Sequence, residues 1–119
     1  RAQDDGAVDR VLGQTGSTID ARQRDYYARL FRHSAHVDAA LALMANWDLD
    51  GLKADLGRLE PSLTLLNGSE DGMVPPAQGR EVAALVPNGR TEWLAGLGHL
   101  AHEEAPGRVA DAIQAAIDI

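Results

Sequence analysis

Residues 63–76 read Leu-Thr-Leu-Leu-Asn-Gly-Ser-Glu-Asp-Gly-Met-Val-Pro-Pro, and this stretch decides the fold. A short apolar run that contains a β-branched residue and is closed by Gly68 is typical of a buried strand that enters a tight loop. The loop carries Asp71, and the prolines after it suit the first turn of a helix. The stretch therefore predicts a strand, a loop with one carboxylate and the start of a helix.

A second strand is predicted at residues 91–94, and His99 lies in the loop that follows. The residues between the strands have a helical pattern, and a strand–helix–strand crossover of this length joins two parallel strands. Side chains that follow parallel strands gather at the carboxyl edge of the sheet. We therefore predict an α/β fold with two parallel strands and flanking helices. A carboxylate oxygen of Asp71 should lie within roughly 2.6–3.2 Å of the His99 ring nitrogen nearer the backbone.

Two motifs around these loops resemble the C-terminal signature of α/β-hydrolases, in which the triad acid precedes the triad histidine. The resemblance implies that Asp71 is the triad acid and His99 the triad base, with His102 and Glu104 bracing the loop by hydrogen bonds. The alternative is that Asp71 is a solvated loop carboxylate and His99 an ordinary polar loop residue. The motifs are Gly68-x-x-Asp71-x-x-Val74-Pro75 and Gly96-x-Gly98-His99-x-x-His102-x-Glu104-x-Pro106.

The nucleophile of such a triad does not occur in this sequence, because no G-x-S-x-G segment is present. The chain also begins with Arg1 rather than Met. These observations predict that it is the C-terminal part of a longer protein. The chain alone should be inactive because it lacks the nucleophile and the oxyanion hole. The sequence leaves open whether the longer protein is an enzyme.

The N-terminal half contains helical patterns with recognisable capping residues. Asp20 and Gln23 have the spacing of a capping box, and Ser34 is expected to cap a second helix. Asp48 is expected to cap a third helix, which should end at Glu60 because Pro61 follows. The second helix is predicted to carry an apolar stripe formed by Val37, Leu41 and Met44.

The change in pattern near residue 47 predicts two regions. We interpret residues 1–46 as a helical lid and residues 47–119 as the C-terminal portion of an α/β-hydrolase core. Residues 13–19 are rich in turn-forming types and lack the lysine of a phosphate-binding loop, so they are interpreted as a connector.

The lid region contains three motifs: Gly16-Ser17-x-Ile19-Asp20, Tyr27-x-x-Leu30 and His36-Val37-x-x-Ala40-Leu41-x-Leu43-Met44-Ala45-x-Trp47-Asp48-Leu49. In these motifs the chain resembles the α/β-hydrolase-type accessory proteins of magnesium chelatase in bacteriochlorophyll biosynthesis. This resemblance implies a serine-type hydrolase that acts near a porphyrin intermediate, with a tetrapyrrole substrate and magnesium-chelatase subunits as partners. Tyr27, Met44 and Trp47 would then line an apolar pocket for the substrate, and core packing is the alternative for each.

Two other functions stay open at this point. The protein could bind a tetrapyrrole or a chelatase subunit without catalysis, with the triad as a relic. It could also be a lidded esterase or C–C-bond hydrolase with no connection to pigments. A separate prediction is self-association, because a sheet of two strands leaves an apolar strand edge unpaired.

Composition argues against several kinds of partner and site. A net charge of −7 and a pI near 4.9 disfavour nucleic acid as a partner. The sequence has no Cys, which excludes disulfides and is compatible with a cytoplasmic location. No apolar run is long enough to span a bilayer. His33 and His36 have no third ligand close by, so no metal site and no cofactor are predicted.

Overall fold

A computed structural model of the chain describes residues 2–117, with side chains from residue 6 onward. The helices are, in chain order, α1 (Ala2–Gln14), α2 (Ala21–Phe31), α3 (Ser34–Ala45), α4 (Leu52–Leu56), α5 (Pro76–Ala83), α6 (Ala101–Glu104) and α7 (Pro106–Ile117). The strands are β1 (Leu63–Gly68), before α5, and β2 (Gly89–Leu94), after it.

The two strands form a parallel pair, in register from Leu63 opposite Gly89 to Gly68 opposite Leu94. Helix α5 connects them and contacts both, as expected for a crossover between parallel strands. The predicted fold class is therefore confirmed: two parallel strands flanked by helices. Both strands point the same way, so the loops after Gly68 and Leu94 leave the sheet at the same edge.

A small apolar core supports this edge. Leu94 at the end of β2 is buried with Leu97, Ala101 and Ala112, which come from the following loop, α6 and α7. Gly68 lets the two loops approach, because a Cβ at this position would lie 2.4 Å from the carbonyl oxygens of both Leu97 and Gly98. Any larger side chain at Gly68 would push the two loops apart.

Only one of the three helix caps predicted in the N-terminal half is found. In the capping box of α2, Gln23 N–H donates to Asp20 Oδ1 and Asp20 N–H donates to Gln23 Oε1, each at 2.8 Å. The prediction for Ser34 is wrong, because Ser34 is the first residue of α3 and the preceding residue, His33, makes no side-chain capping bond.

The prediction for Asp48 is also wrong. The carboxylate of Asp48 accepts a hydrogen bond from Asp50 N–H at 3.1 Å, which stabilises a local turn instead of a helix. Helix α4 starts later, after Gly51, and ends at Leu56, four residues before the predicted end at Glu60. Asparagine and aspartate side chains that bond their own backbone two residues on compete with helix formation in this way.

The apolar stripe predicted on α3 is not buried. Leu41 is 59% exposed and Met44 is 55% exposed, while Val37 is half-buried. Two of the three stripe residues therefore lie outside the core. Helix α3 packs against α2, and its C-terminal half presents apolar side chains to solvent.

One edge of β1 has no partner strand among residues 2–117, which is the condition for the predicted self-association. Leu63 N–H donates to Asn88 O and Ser69 N–H donates to Leu94 O, so the odd-numbered residues face β2. In a parallel ladder the alternate residues, Thr64 and Leu66, then direct their backbone groups to the opposite side. Among residues 2–117 no strand pairs with that side. Self-association through this edge stays a prediction.

The proposed division into residues 1–46 and 47–119 also stays a prediction, and Arg1 and residues 118–119 at its two ends lie outside the described residues. No helix in the described part of the chain is long and apolar enough to cross a membrane.

Candidate functional site

The loops that follow β1 and β2 pair with each other at the carboxyl edge of the sheet. We define residues 69–75 as the acid loop and residues 95–100 as the His loop. Ser69 N–H donates to Leu94 O at 3.2 Å, and Glu70 N–H donates to Leu97 O at 2.9 Å. These bonds continue the strand pairing beyond the sheet and bring Asp71 towards His99.

Asp71 and His99 are in direct contact. The Nδ1 atom of His99 lies 2.9 Å from Oδ2 of Asp71, which is the distance predicted from the sequence. The other carboxylate oxygen, Oδ1, accepts hydrogen bonds from the backbone N–H groups of Met73 and Val74, each at 2.9 Å. The acid loop therefore wraps around its own carboxylate and directs one oxygen to the imidazole.

The environment keeps Asp71 ionised. Its side chain is 10% exposed, and this burial by itself raises the pKa of the carboxyl. Hydrogen bonds from Val74 N–H, from His99 and from Met73 N–H outweigh burial, so the pKa of Asp71 is lowered overall. An ionised carboxylate can only accept hydrogen bonds, so the hydrogen between the two side chains belongs to Nδ1.

This arrangement leaves Nε2 of His99 available as a base. The imidazole is 38% exposed, so it can be reached from solvent, while Asp71 is screened behind it. With Nδ1 carrying the hydrogen, Nε2 has a free lone pair that can accept a proton, and the Asp71 carboxylate would stabilise the resulting imidazolium. The pair can therefore act chemically as a general base and acid.

A third segment joins the two loops, and the sequence did not predict this role. The backbone carbonyl of Thr15 accepts hydrogen bonds from Gly72 N–H in the acid loop, at 3.3 Å, and from His99 N–H, at 2.9 Å. Thr15 is only 3% exposed. Residues 15–20 connect α1 to α2, as predicted for the connector, whereas residues 13 and 14 belong to the end of α1. Residues 15–18 also pack against the site, which the sequence did not predict.

Gly16 shows why this segment needs its glycine. Its φ angle is +70°, in the left-handed region that favours glycine, and a Cβ there would lie 1.9 Å from the carbonyl oxygen of Glu70. Turn-forming residues are equally typical of a solvated connector, so the local pattern could not reveal the contact. The feature of the sequence that marks this segment is the resemblance motif that includes Gly16 and Ser17.

Glu104 braces the His loop, as predicted. Its Oε1 accepts from Thr18 N–H at 2.8 Å and its Oε2 accepts from Gly98 N–H at 2.7 Å. Burial by itself raises the pKa of Glu104, but the hydrogen bonds from Thr18, Gly98 and the Ser17 side chain outweigh it and lower the pKa overall. The carboxylate is thus fixed as an acceptor between the His loop and residues 15–18.

The same prediction is wrong for His102. Its side chain is 65% exposed, and its Nε2 lies 3.7 Å from Oε1 of Glu103, which is too long for a hydrogen bond.

Tyr27, the first of the three predicted pocket residues, is half-buried and attached to α6. Its hydroxyl donates to the Glu103 carboxylate, and Gln23 Nε2 donates to Glu103 O at 2.9 Å. Burial, together with the hydrogen bond and negative charge of Glu103, raises the pKa of Tyr27 to about 12. Tyr27 borders a shallow depression with Tyr26, Leu30 and Glu103. Its role in substrate binding stays a prediction.

Met44 and Trp47 are solvent-exposed instead of enclosed in a pocket. Met44 is near the end of α3, and Trp47, just beyond it, is 60% exposed. Their role as pocket residues is likewise a prediction. Among residues 2–117, no group of three or more His, Asp and Glu side chains is arranged to hold a metal ion.

Comparison with known proteins gives one informative relative. The chain is 36% identical over 98 residues to the magnesium-chelatase 30 kDa subunit of Rhodobacter capsulatus, an alignment that covers 82% of this chain. The chain is thus similar to part of a magnesium-chelatase subunit. It spans 34% of the length of that protein. The sequence matches no protein-family model.

The similarity supports the magnesium-chelatase part of the resemblance found in the sequence. The assignment to the α/β-hydrolases stays a prediction, as do the catalytic roles of Asp71 and His99.

The lowered pKa values of Asp71 and Glu104 predict a stability that falls in acid. Folding lowers the pKa values of both carboxyls below their ordinary value of about 4. Their contribution to the free energy of unfolding is therefore fully present at pH values above about 4. It is lost as the pH falls through the folded-state pKa values. Urea unfolding followed by circular dichroism at several pH values between about 6 and 3 should therefore show a falling free energy of unfolding.

The variants Asp71→Asn and Glu104→Gln remove one titrating group each. The free energy of unfolding of each variant should therefore fall less steeply over this pH range than that of the unsubstituted chain. If both variants lose stability as steeply as the parent, these two carboxylates do not carry the acid sensitivity.

Proposed function

We propose that Asp71 and His99 are the acid and base of an α/β-hydrolase-type catalytic site in a protein that works with magnesium chelatase. The observation that carries the catalytic part is the 2.9 Å contact between His99 Nδ1 and Asp71 Oδ2 at the carboxyl edge of two parallel strands. The relationship to a magnesium-chelatase subunit supports the second part.

In this proposal the chemistry is that of a serine-type triad. Nε2 of His99 takes the proton of a serine hydroxyl as it attacks the substrate, and later delivers it to the leaving group. Asp71 holds the imidazole in the required tautomer and stabilises its charged form. The 119 residues contain no G-x-S-x-G segment, so the nucleophile is proposed to lie outside this chain. The relative is more than twice as long as this chain, because the 98 aligned residues make up 34% of its length, and this leaves room for the nucleophile.

The N-terminal helices are proposed to form the lid of this site. Two contacts support the proposal: the carbonyl of Thr15 binds both catalytic loops, and Tyr27 binds Glu103 just beyond the His loop. Tyr27 would then stand close to the path of a substrate, and a flat tetrapyrrole is the substrate class that the sequence resemblance suggests.

A second candidate function is binding without catalysis, and the exposed apolar surface of α3 and α4 favours it. Soluble proteins rarely expose large apolar side chains in a contiguous stretch unless they bind a partner there. We define this surface by the exposed residues Leu41, Leu43, Met44, Trp47, Leu49 and Leu52. We propose that a magnesium-chelatase subunit binds it; a tetrapyrrole is the alternative ligand.

The catalytic proposal is tested in a longer polypeptide that contains this chain and an intact G-x-S-x-G segment. Asp71→Asn and His99→Gln should each lower kcat on an activated ester by about 10,000-fold or more, because changing a triad acid costs about this factor and removing the base costs more. The measurement is steady-state hydrolysis, with circular dichroism as the test of folding.

His102→Gln is the matched control, because His102 lies three residues from His99 and is exposed. This variant should keep the activity of the parent protein. Normal hydrolysis by both the Asp71 and the His99 variants would show that the pair is not catalytic.

The binding proposal is tested by capture of purified magnesium-chelatase subunits on the immobilised chain. Leu43→Ser and Trp47→Ser should each weaken capture by about tenfold or more, because large apolar anchors dominate the affinity of most interfaces. Ile117→Ser changes an exposed apolar residue on α7 and serves as the control.

Equal capture by all variants would place the interface elsewhere. Absorbance titration with protoporphyrin, run in parallel, distinguishes the tetrapyrrole alternative. A folded chain that binds neither ligand would favour the lidded hydrolase without a pigment connection.

A further inference from the structure

Three successive backbone N–H groups of the His loop are bound by acceptors from outside it. Gly98 N–H donates to Glu104 Oε2 at 2.7 Å, His99 N–H to Thr15 O at 2.9 Å, and Leu100 N–H to Ser17 Oγ at 2.8 Å. A loop cannot satisfy its backbone groups through a helix or sheet ladder, so partners of this kind decide its conformation. Here every peptide plane around His99 has a fixed partner.

The acceptors belong to one connected unit. We define the strap as residues 15–18. Glu104 binds Thr18 N–H of the strap through Oε1 while its Oε2 binds the His loop, and the Ser17 side chain is hydrogen-bonded to the same carboxylate. Ser17 N–H in turn donates to the Thr15 hydroxyl oxygen at 3.1 Å. The strap therefore has its own internal bonds and is not held by the His loop alone.

The fit between strap and His loop is tight. A Cβ on Gly98 would lie 2.5 Å from backbone atoms of Gly16 and Ser17 and from Ser17 Oγ. There is no room for even one methyl group between the two segments at this position. The position of the strap therefore sets the position of the His loop.

We propose that Ser17 and Glu104 are positioning residues, which hold the His99 backbone at the place where its imidazole meets Asp71. The consequence for function rests on the proposed acid–base role of that pair. Catalytic groups need to be held within about 0.5 Å of their productive geometry. The three bound amides meet this need because they fix the direction in which the His99 side chain leaves the backbone.

Glu104 and Ser17 do this through different atoms, so each can be removed separately. Glu104→Gln turns one acceptor oxygen into an NH₂ group, which would face the N–H of Gly98 or Thr18, donor against donor. Ser17→Ala removes the acceptor of Leu100 N–H. Neither change touches the side chain of Asp71 or of His99.

The test is a spectroscopic measurement on the 119-residue chain, labelled with ¹⁵N. The hydrogen bond to Asp71 should give His99 a slowly exchanging Nδ1–H proton resonance, which is assigned by its absence in His99→Gln. We expect Glu104→Gln and Ser17→Ala each to abolish or broaden this resonance while the other backbone amide resonances stay dispersed. This readout needs no nucleophile, no substrate and no activity.

Two variants serve as controls for the type of substitution. Glu92→Gln makes the same chemical change on the exposed surface of β2, and Ser34→Ala does so at the start of α3. Both should keep the His99 resonance unchanged.

An unchanged His99 Nδ1–H resonance in both Glu104→Gln and Ser17→Ala would overturn the proposal. If one variant fails to fold, the other decides. If both fail to fold, the residues are required for the fold as a whole, and their assignment as positioning residues is wrong.

The result is separable from the proposed function. Loss of the resonance in Glu104→Gln and Ser17→Ala supports positioning even if Asp71→Asn has no effect on hydrolysis in the longer polypeptide. Conversely, an intact resonance in both variants overturns the positioning proposal and does not affect the catalytic proposal, which the hydrolysis measurements test.

Discussion

The carbonyl oxygen of Thr15 is the point on which the candidate site depends. It accepts hydrogen bonds from both Gly72 and His99, which belong to loops that are far apart in the sequence. A carbonyl with two lone pairs can accept both, and its burial makes the loss of either costly, because a buried unpaired N–H costs about 1–3 kcal/mol. The contact between Asp71 and His99 therefore depends on a residue that bears no catalytic group.

The strand pair and the acid–base contact could be predicted from the sequence, whereas the strap could not. Residues 63–68 carry a local strand signal, and the parallel arrangement and the shared edge follow from a crossover of suitable length. Those rules place Asp71 and His99 together without knowledge of side-chain packing. The strap acts through backbone groups and the Ser17 hydroxyl, and its partners are distant in the sequence, as in the bonds from Gly72 N–H to Thr15 O and from Thr18 N–H to Glu104. Turn-forming residues give no sign of where such groups bind.

The helices of the N-terminal half show the opposite limit. The presence of these helices could be predicted from the spacing of apolar residues. A good capping residue can instead stabilise a local turn, as Asp48 does. An apolar stripe also does not reveal what covers it: Leu41 and Met44 are exposed in the described chain. The apolar residues of α3 therefore form an exposed surface, and the similarity to a magnesium-chelatase subunit supports the proposed occupant.

The central claim is that the strap and the two loops form one cooperative unit, and native-state hydrogen exchange of the 119-residue chain tests it most directly. The informative amides are those of Gly72, Gly98, His99 and Leu100. We expect all four to be protected, although they lie outside the sheet. They should open with the same free energy, because their acceptors are the strap and the Glu104 carboxylate, which is itself bonded to the strap. Exchange of these four amides at the rate of an unfolded peptide, while amides in β1 and β2 stay protected, would contradict the account.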